Sequence, residues 1–203
     1  MPKSLVFKMA QDRRGDLWLG TREDGACRLH QNRFTCYNTK NQLDANIVQG
    51  IFIDGEDTLW LSTDGAGLYR VGEQFITSIS TREGLANKNV YPIYEDREGG
   101  IWIGSFGGIA RYKDGKITNY GKEDGMPASE IQSLFEDREG RLWIGTFNGF
   151  FYFKNDKFYG LEFVSNLGFP PTFDIHQDRQ GILWFATNIG LLKYDGSSVR
   201  KFT

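Results

Sequence analysis

Short runs of alternating apolar and polar residues fill the chain, and clusters of Gly, Asp and Asn break them roughly every 8 to 12 residues. Period-two alternation places every second side chain on one face, as a half-buried β-strand requires, whereas an amphipathic helix would repeat its apolar positions every three to four residues. The third segment shows the pattern most clearly. A strand a over 89–95 is followed by the turn Asp96-Arg97-Glu98-Gly99 and a strand b over 101–105; Phe106-Gly107-Gly108 leads to strand c over 109–113, and Asp114-Gly115 to strand d over 116–120. An Asp-Gly pair suits a two-residue hairpin because both central residues need positive φ.

The same text returns five times. Trp18, Trp60, Trp102, Trp143 and Trp184 are spaced by 42, 42, 41 and 41 residues, within DRRGDLWLGT, DGEDTLWLST, DREGGIWIGS, DREGRLWIGT and DRQGILWFAT. A four-stranded antiparallel unit of about 40 to 45 residues, repeated, is a propeller blade. The expected fold class is therefore all-β: a β-propeller of five four-stranded antiparallel blades in a single domain over 1–203. The blades fall near 4–41, 46–81, 88–121, 129–164 and 170–203. All five read in the order a-b-c-d, so closure between the first and last blade would rest on side-chain packing without a shared strand. The alternative is an open arc of a larger propeller, whose uncapped terminal repeats seek partners.

The repeated residues read as packing. Two places after each Trp stands a small residue, Gly20, Ser62, Gly104, Gly145 or Ala186, and the flanking Leu, Ile and Phe residues occupy the opposite face. Large beside small lets adjacent blades interdigitate. The Asp of each Asp-Arg-x-Gly run, with Gly three positions on, suits a tight turn entering a strand. The second blade departs from this with the acidic cluster Asp54-Gly55-Glu56-Asp57, read as a solvated turn rather than a cation site. His30 and His176 have no second imidazole at ligand spacing, and neither a nucleophile motif nor a phosphate loop is present. The residues point away from catalysis and imply no cofactor and no metal.

Composition narrows the partners. With 24 basic against 26 acidic side chains and a net charge of −2, the chain carries no nucleic-acid footprint. No apolar run approaches the ~18 residues of a membrane-spanning helix, so no membrane insertion by this chain is expected. Residues 1–10 also lack the apolar run and cleavage site of a secretory signal. Two cysteines add a test of register. If Gln31-Asn32 is the c–d turn of blade one, Cys27 lies directly opposite Cys36 at a non-hydrogen-bonded position, with Cα atoms ~4.5 Å apart. Either a disulfide forms, indicating an oxidising compartment, or two half-buried thiols remain reduced.

Candidate binding residues come from the face where the b–c loops meet the d–a connections, because loops on a rigid scaffold concentrate function. The b–c loops differ between blades and supply Arg22, Asp24, Asp64, Phe106, Phe147, Asn148 and Asn188. The strand-a position four before the turn Asp varies likewise as Lys8, Gly50, Pro92, Ser133 and Asp174, of which Lys8 and Asp174 join the candidate set. Carboxylates, amides and guanidinium groups suit sugar hydroxyls, and a Phe ring suits the apolar face of a sugar.

The unit N-x-V-x-x-I-x-E-D-R-E-G-x-[IL]-W-I-G-T-x-x-G-[LIF], met most closely over 89–109 and 130–150, resembles the two-component regulator propeller repeat. That resemblance implies a sensor region of the hybrid histidine kinase type, periplasmic or extracellular, with a cytoplasmic location left open. It implies a glycan or other small polar ligand, and as further partners the kinase or dimerisation domains of a longer chain or a second copy. The competing function is a structural or self-associating interaction module. A weaker alternative is a propeller lyase, since virginiamycin-lyase-like propellers share the Gly-x-x-Trp strand, although their turn chemistry and catalytic His are not matched here.

Overall fold

The computed structural model describes residues 2–72, 76–126, 129–161 and 167–202. Of the expected blade spans, positions 73–75, 162–164 and 203 lie outside the described residues. Among the described residues, twenty strands form five four-stranded antiparallel sheets, each running a-b-c-d in chain order. Blade one comprises β1 (Val6–Gln11), β2 (Leu17–Thr21), β3 (Ala26–His30) and β4 (Arg33–Tyr37). Blade two comprises β5 (Val48–Ile53), β6 (Leu59–Thr63), β7 (Leu68–Val71) and β8 (Ile76–Ile79). Blade three is β9 (Val90–Glu95), β10 (Ile101–Ser105), β11 (Gly108–Lys113) and β12 (Lys116–Tyr120). Blade four is β13 (Ile131–Glu136), β14 (Leu142–Thr146), β15 (Gly149–Lys154) and β16 (Lys157–Gly160). Blade five is β17 (Thr172–Gln177), β18 (Leu183–Thr187), β19 (Gly190–Tyr194) and β20 (Val199–Phe202). A 3₁₀ turn, Lys122–Asp124, follows β12.

The c–d hairpins of blades one, three and four turn on two-residue loops with both residues at positive φ: Gln31-Asn32, Asp114-Gly115 and Asn155-Asp156. That geometry matches the twist of the flanking strands and fixes register. In blade one it sets Cys27 opposite Cys36, and the two are joined as a disulfide with their Cα atoms 4.0 Å apart.

The a–b turn has a second role that its sequence does not reveal. In every blade the indole N–H of Trp donates to the turn aspartate six residues earlier: Trp18 to Asp12 at 3.1 Å, Trp60 to Asp54 at 2.8 Å, Trp102 to Asp96 at 2.8 Å, Trp143 to Asp137 at 2.5 Å and Trp184 to Asp178 at 2.8 Å. The other carboxylate oxygen accepts the backbone N–H groups two and four residues on, as Asp54 does from Glu56 and Thr58. One aspartate thus satisfies a buried indole donor and closes the hairpin.

A cation lies over each indole. Arg28, Arg70, Arg111 and Lys193 on the c strands and Arg141 beside Trp143 lie 5.3 to 5.8 Å from the ring centroids. Two of these guanidinium groups also bond the turn aspartate, Arg111 to Asp96 at 2.8 Å and Arg141 to Asp137 at 2.5 Å.

The chain divides into two compact units, Met1–Ser105 with Ala110–Asn119, and Phe106–Ile109 with Tyr120–Thr203. Within each, the Trp face of one blade packs on the aliphatic face of the next. In the first unit Trp18 joins Val48, Leu59 and Leu61, and Trp60 joins Val90, Ile101 and Ile103. In the second unit Trp143 joins Ile175, Leu183 and Phe185. The small residue after each Trp permits this approach: a Cβ on Gly20 would meet the Val48 carbonyl oxygen at 2.7 Å, and one on Gly145 the Thr172 carbonyl oxygen at 2.8 Å.

Candidate functional site

The b–c loops are held by a hydroxyl at the end of strand b. Thr21 Oγ1 donates to the Gly25 carbonyl at 2.8 Å and accepts the Asp24 N–H at 3.0 Å; Thr146 does the same with Gly149 and Asn148, both at 3.0 Å. Thr63 bonds Gly67 and Ala66, and Thr187 bonds Gly190 and Ile189. The next residue is tied to the segment before strand a: Arg22 N–H to Leu5 at 3.0 Å, Asp64 to Ile47 at 3.2 Å, Phe147 to Glu130 at 3.4 Å and Asn188 to Pro171 at 3.2 Å. All of these use backbone or the repeated Thr. None of these bonds calls on a side chain that differs between blades.

The structure places the candidates in two groups. Arg22, Asp24, Asp64 and Lys8 are in the first unit; Phe106, Phe147, Asn148, Asn188 and Asp174 are in the second. Arg22, Asp64 and Lys8 are exposed. Asp24 is half-buried and occupied: its carboxylate accepts the N–H groups of Lys3 at 2.8 Å and Ser4 at 3.1 Å and the Ser4 hydroxyl at 3.0 Å. Those bonds, the Lys3 N–H foremost, hold its pKa below the ordinary 3.8. Asp24 thus anchors the segment before β1. In the second unit Phe106 and Phe147 are 60% and 44% exposed, and Phe147 meets Phe173 edge-on at 6.2 Å. Asn148, Asn188 and Asp174 are also exposed.

Sequence reasoning missed a cavity of about 800 Å³ in the first unit, between blades one and two, where Trp18, Arg28, Tyr37, Glu56, Asp57 and Arg70 are among the lining residues. The signal was the irregular turn of blade two. Asp57 holds φ +68° at the position filled by Gly15, Gly99, Gly140 and Gly181 in the other blades, and its carboxylate accepts the Arg13 N–H at 3.1 Å. A non-glycine residue in this region is strained and persists only where its surroundings hold it. Arg28 pairs with Asp16, as does His30, whose Nδ1 lies 2.6 Å from Asp16 Oδ1. The His30 bond first, and Arg28 after it, hold the Asp16 pKa below 3.8. Arg70 makes no ion pair among the described residues and lies over Trp60. No group of three His, Cys, Asp or Glu side chains is arranged for a metal ion among the described residues.

The two-component regulator propeller model matches residues 1–23, 84–107 and 125–148, each span ending just after a Trp strand. These three spans match two-component regulator propeller repeats. Among solved structures, this repeat protein is similar to the extracellular domain of a hybrid two-component system from B. thetaiotaomicron, with 20% identity, a TM-score of 0.84, and 98% of this chain aligned to 30% of that one. Virginiamycin B lyase from Staphylococcus aureus is 16% identical with a TM-score of 0.77 over 100% of this chain and 71% of the lyase. PorZ, a surface component of the type-IX secretion system of Porphyromonas gingivalis, is 16% identical with a TM-score of 0.75 over 98% of this chain and 34% of that one. At these identities the likeness shows the β-propeller fold. The chain spans about three tenths of the hybrid-system domain. No curated protein matches it.

Proposed function

We propose that this propeller is a non-catalytic sensory module that takes a carbohydrate or other small polar ligand on the face of its b–c loops. The observation that carries the reading is the division of labour in those loops: a backbone pinned by repeated Thr and Gly residues, bearing side chains that change from Arg22 and Asp64 to Phe106, Phe147 and Asn188. Within the first unit Arg22, Asp64 and Lys8, and within the second Phe106, Phe147, Asn148, Asn188 and Asp174, are the ligand-facing groups. The hybrid two-component neighbour supports a sensory role and, as an extracellular domain, a periplasmic or extracellular location. The Cys27–Cys36 disulfide fits an oxidising compartment. Signal output then belongs to another domain or protein.

Thermal-shift screening of the whole chain against neutral and acidic oligosaccharides tests this reading. A sugar that raises the melting temperature, with the shift lost in Phe147→Ala or Asn188→Ala, supports it; a broad panel without any shift overturns it. The cavity of the first unit favours a second placement of the same function. Arg70 and Tyr37 there suit the carboxylate and ring of a uronic acid, and a shift by oligogalacturonate that survives Phe147→Ala but not Arg70→Gln selects that placement.

A further inference from the structure

Two blade faces lack the cover that their counterparts have. The aliphatic face of blade one leaves Met9 67% and Leu17 36% exposed, whereas Leu59, Ile101, Leu142 and Leu183, the counterparts of Leu17, are exposed by 1 to 5%. The Trp face of blade five leaves Leu191 41% and Phe202 52% exposed, and Trp184 is half-buried where the other four tryptophans are buried. The first is the kind of face that receives a Trp face at the joints described above, and the second is the kind of face that is received.

Polar contacts follow the same rule. At the joint of blades one and two the Arg13 N–H donates to Asp57 at 3.1 Å; between blades two and three the Gly55 N–H donates to Glu95 at 2.9 Å; between blades four and five the Arg138 N–H donates to Gln177 Oε1 at 3.0 Å. In each case the second residue of one a–b turn finds a side-chain oxygen on the next blade. The Arg138 guanidinium adds a bond to the Arg179 carbonyl at 3.1 Å. Gln177 is oriented for this by its own Nε2, which donates to the Gly181 carbonyl at 3.0 Å. Gln11 at the end of β1 folds back identically, its Nε2 donating to the Gly15 carbonyl at 3.1 Å. Its Oε1 is thereby set as the acceptor for a preceding blade. Arg179, second in the turn of blade five, is the exposed counterpart of Arg138.

We propose that these faces are two halves of one joint closed between copies: blade five of one chain seats on blade one of a second. Leu191, Phe202 and Trp184 cover Met9 and Leu17, and the Arg179 N–H donates to Gln11 Oε1. The joint is heterologous, so each pair of copies keeps one free face of each kind and association can continue head to tail.

Sedimentation velocity of the full chain over a range of concentrations tests the proposal. The expected result is a concentration-dependent shift from monomer to larger species. Leu17→Asp with Gln11→Ala disables the blade-one face, and Phe202→Glu with Arg179→Ala the blade-five face. Each double variant alone is expected to stay monomeric, while a mixture of the two forms a 1:1 complex through the one face each retains. That recovery also shows that both variants are folded. Wild-type chain that is monomeric throughout, a variant that associates like wild type, or a mixture without complex overturns the proposal. Gln11→Ala alone, which perturbs folding least, is expected to weaken association by roughly 5- to 10-fold.

Discussion

At the scale of single residues, the turn aspartates carry more than a turn. Asp137 is 1% exposed and accepts from the Trp143 indole, the Glu139 and Arg141 N–H groups and the Arg141 guanidinium. Asp137→Ala strands all of these donors in a buried site, and a loss of about 3 to 5 kcal/mol in urea unfolding is expected. Asp137→Asn keeps one oxygen for the backbone N–H groups and is expected to lose less. The aspartate was legible in the sequence as a turn former, because Asp before Gly at this spacing has that meaning. Its bond to the indole was not, since a strand pattern tells which face Trp18 or Trp143 occupies but not which way the ring edge points.

Carboxylates held by hydrogen bonds are expected to weaken the fold in acid. Asp16, Asp178 and Asp195 all have pKa values below the ordinary 3.8, held there by hydrogen bonds from His30, Trp184 and the Ser197 N–H respectively as the foremost cause. A depressed folded pKa means that the unfolded chain binds the proton more readily, so the stabilisation is complete well above pH 3.8 and is lost as pH falls through the lower folded values. Acid titration by circular dichroism is expected to show unfolding below about pH 3.8. Asp195→Asn, which cannot ionise, should flatten that limb while lowering stability at neutral pH.

At the scale of elements, the strands of blade three follow from the alternation almost residue by residue, and the two-residue turns explain why. Residues such as Asn32 and Asp114 accept positive φ, so the loop length and the register of β3 on β4 and β11 on β12 are local properties that a sequence can express. That register set Cys27 opposite Cys36, and the structure joins the two as a disulfide. Closing a loop of nine residues' separation contributes about 2 to 3 kcal/mol through the unfolded state. Unfolding with and without reductant, with Cys27→Ser/Cys36→Ser as the control, is expected to show a loss of that size. The b–c loops were legible as variable but not in their occupation: nothing local announces that Asp24 serves Lys3 and Ser4 some twenty residues away. Contacts between blades are equally hidden. Gly145→Ala keeps an ordinary backbone conformation yet brings a methyl within 2.8 Å of the Thr172 carbonyl, and a loss of about 1 to 3 kcal/mol is expected in the same assay.

At the scale of the whole molecule, stability in a repeat protein is close to a sum of what each unit contributes and what its neighbours cover. The covered blades therefore set the ceiling and the uncovered faces set the floor. Trp143 is wholly buried under Phe185, Leu183 and Ile175, whereas Trp184 rests on Lys193 and the exposed Phe202. Amides near an uncovered face open by local fluctuation at a lower free energy than those of a blade packed on both sides. Native-state hydrogen exchange at low protein concentration is accordingly expected to show earlier exchange in β1 and in β19 and β20 than in β5, β6 and β14. If blade five seats on blade one of another copy, the same strands gain cover as concentration rises, because binding to the folded state stabilises by mass action. Protection in β1, β19 and β20 should then climb with concentration while β6 and β14 stay constant. Exchange rates in β1 and β20 that match those of β14 at every concentration would show that the exposed apolar faces carry no energetic cost, and would remove the physical reason for docking.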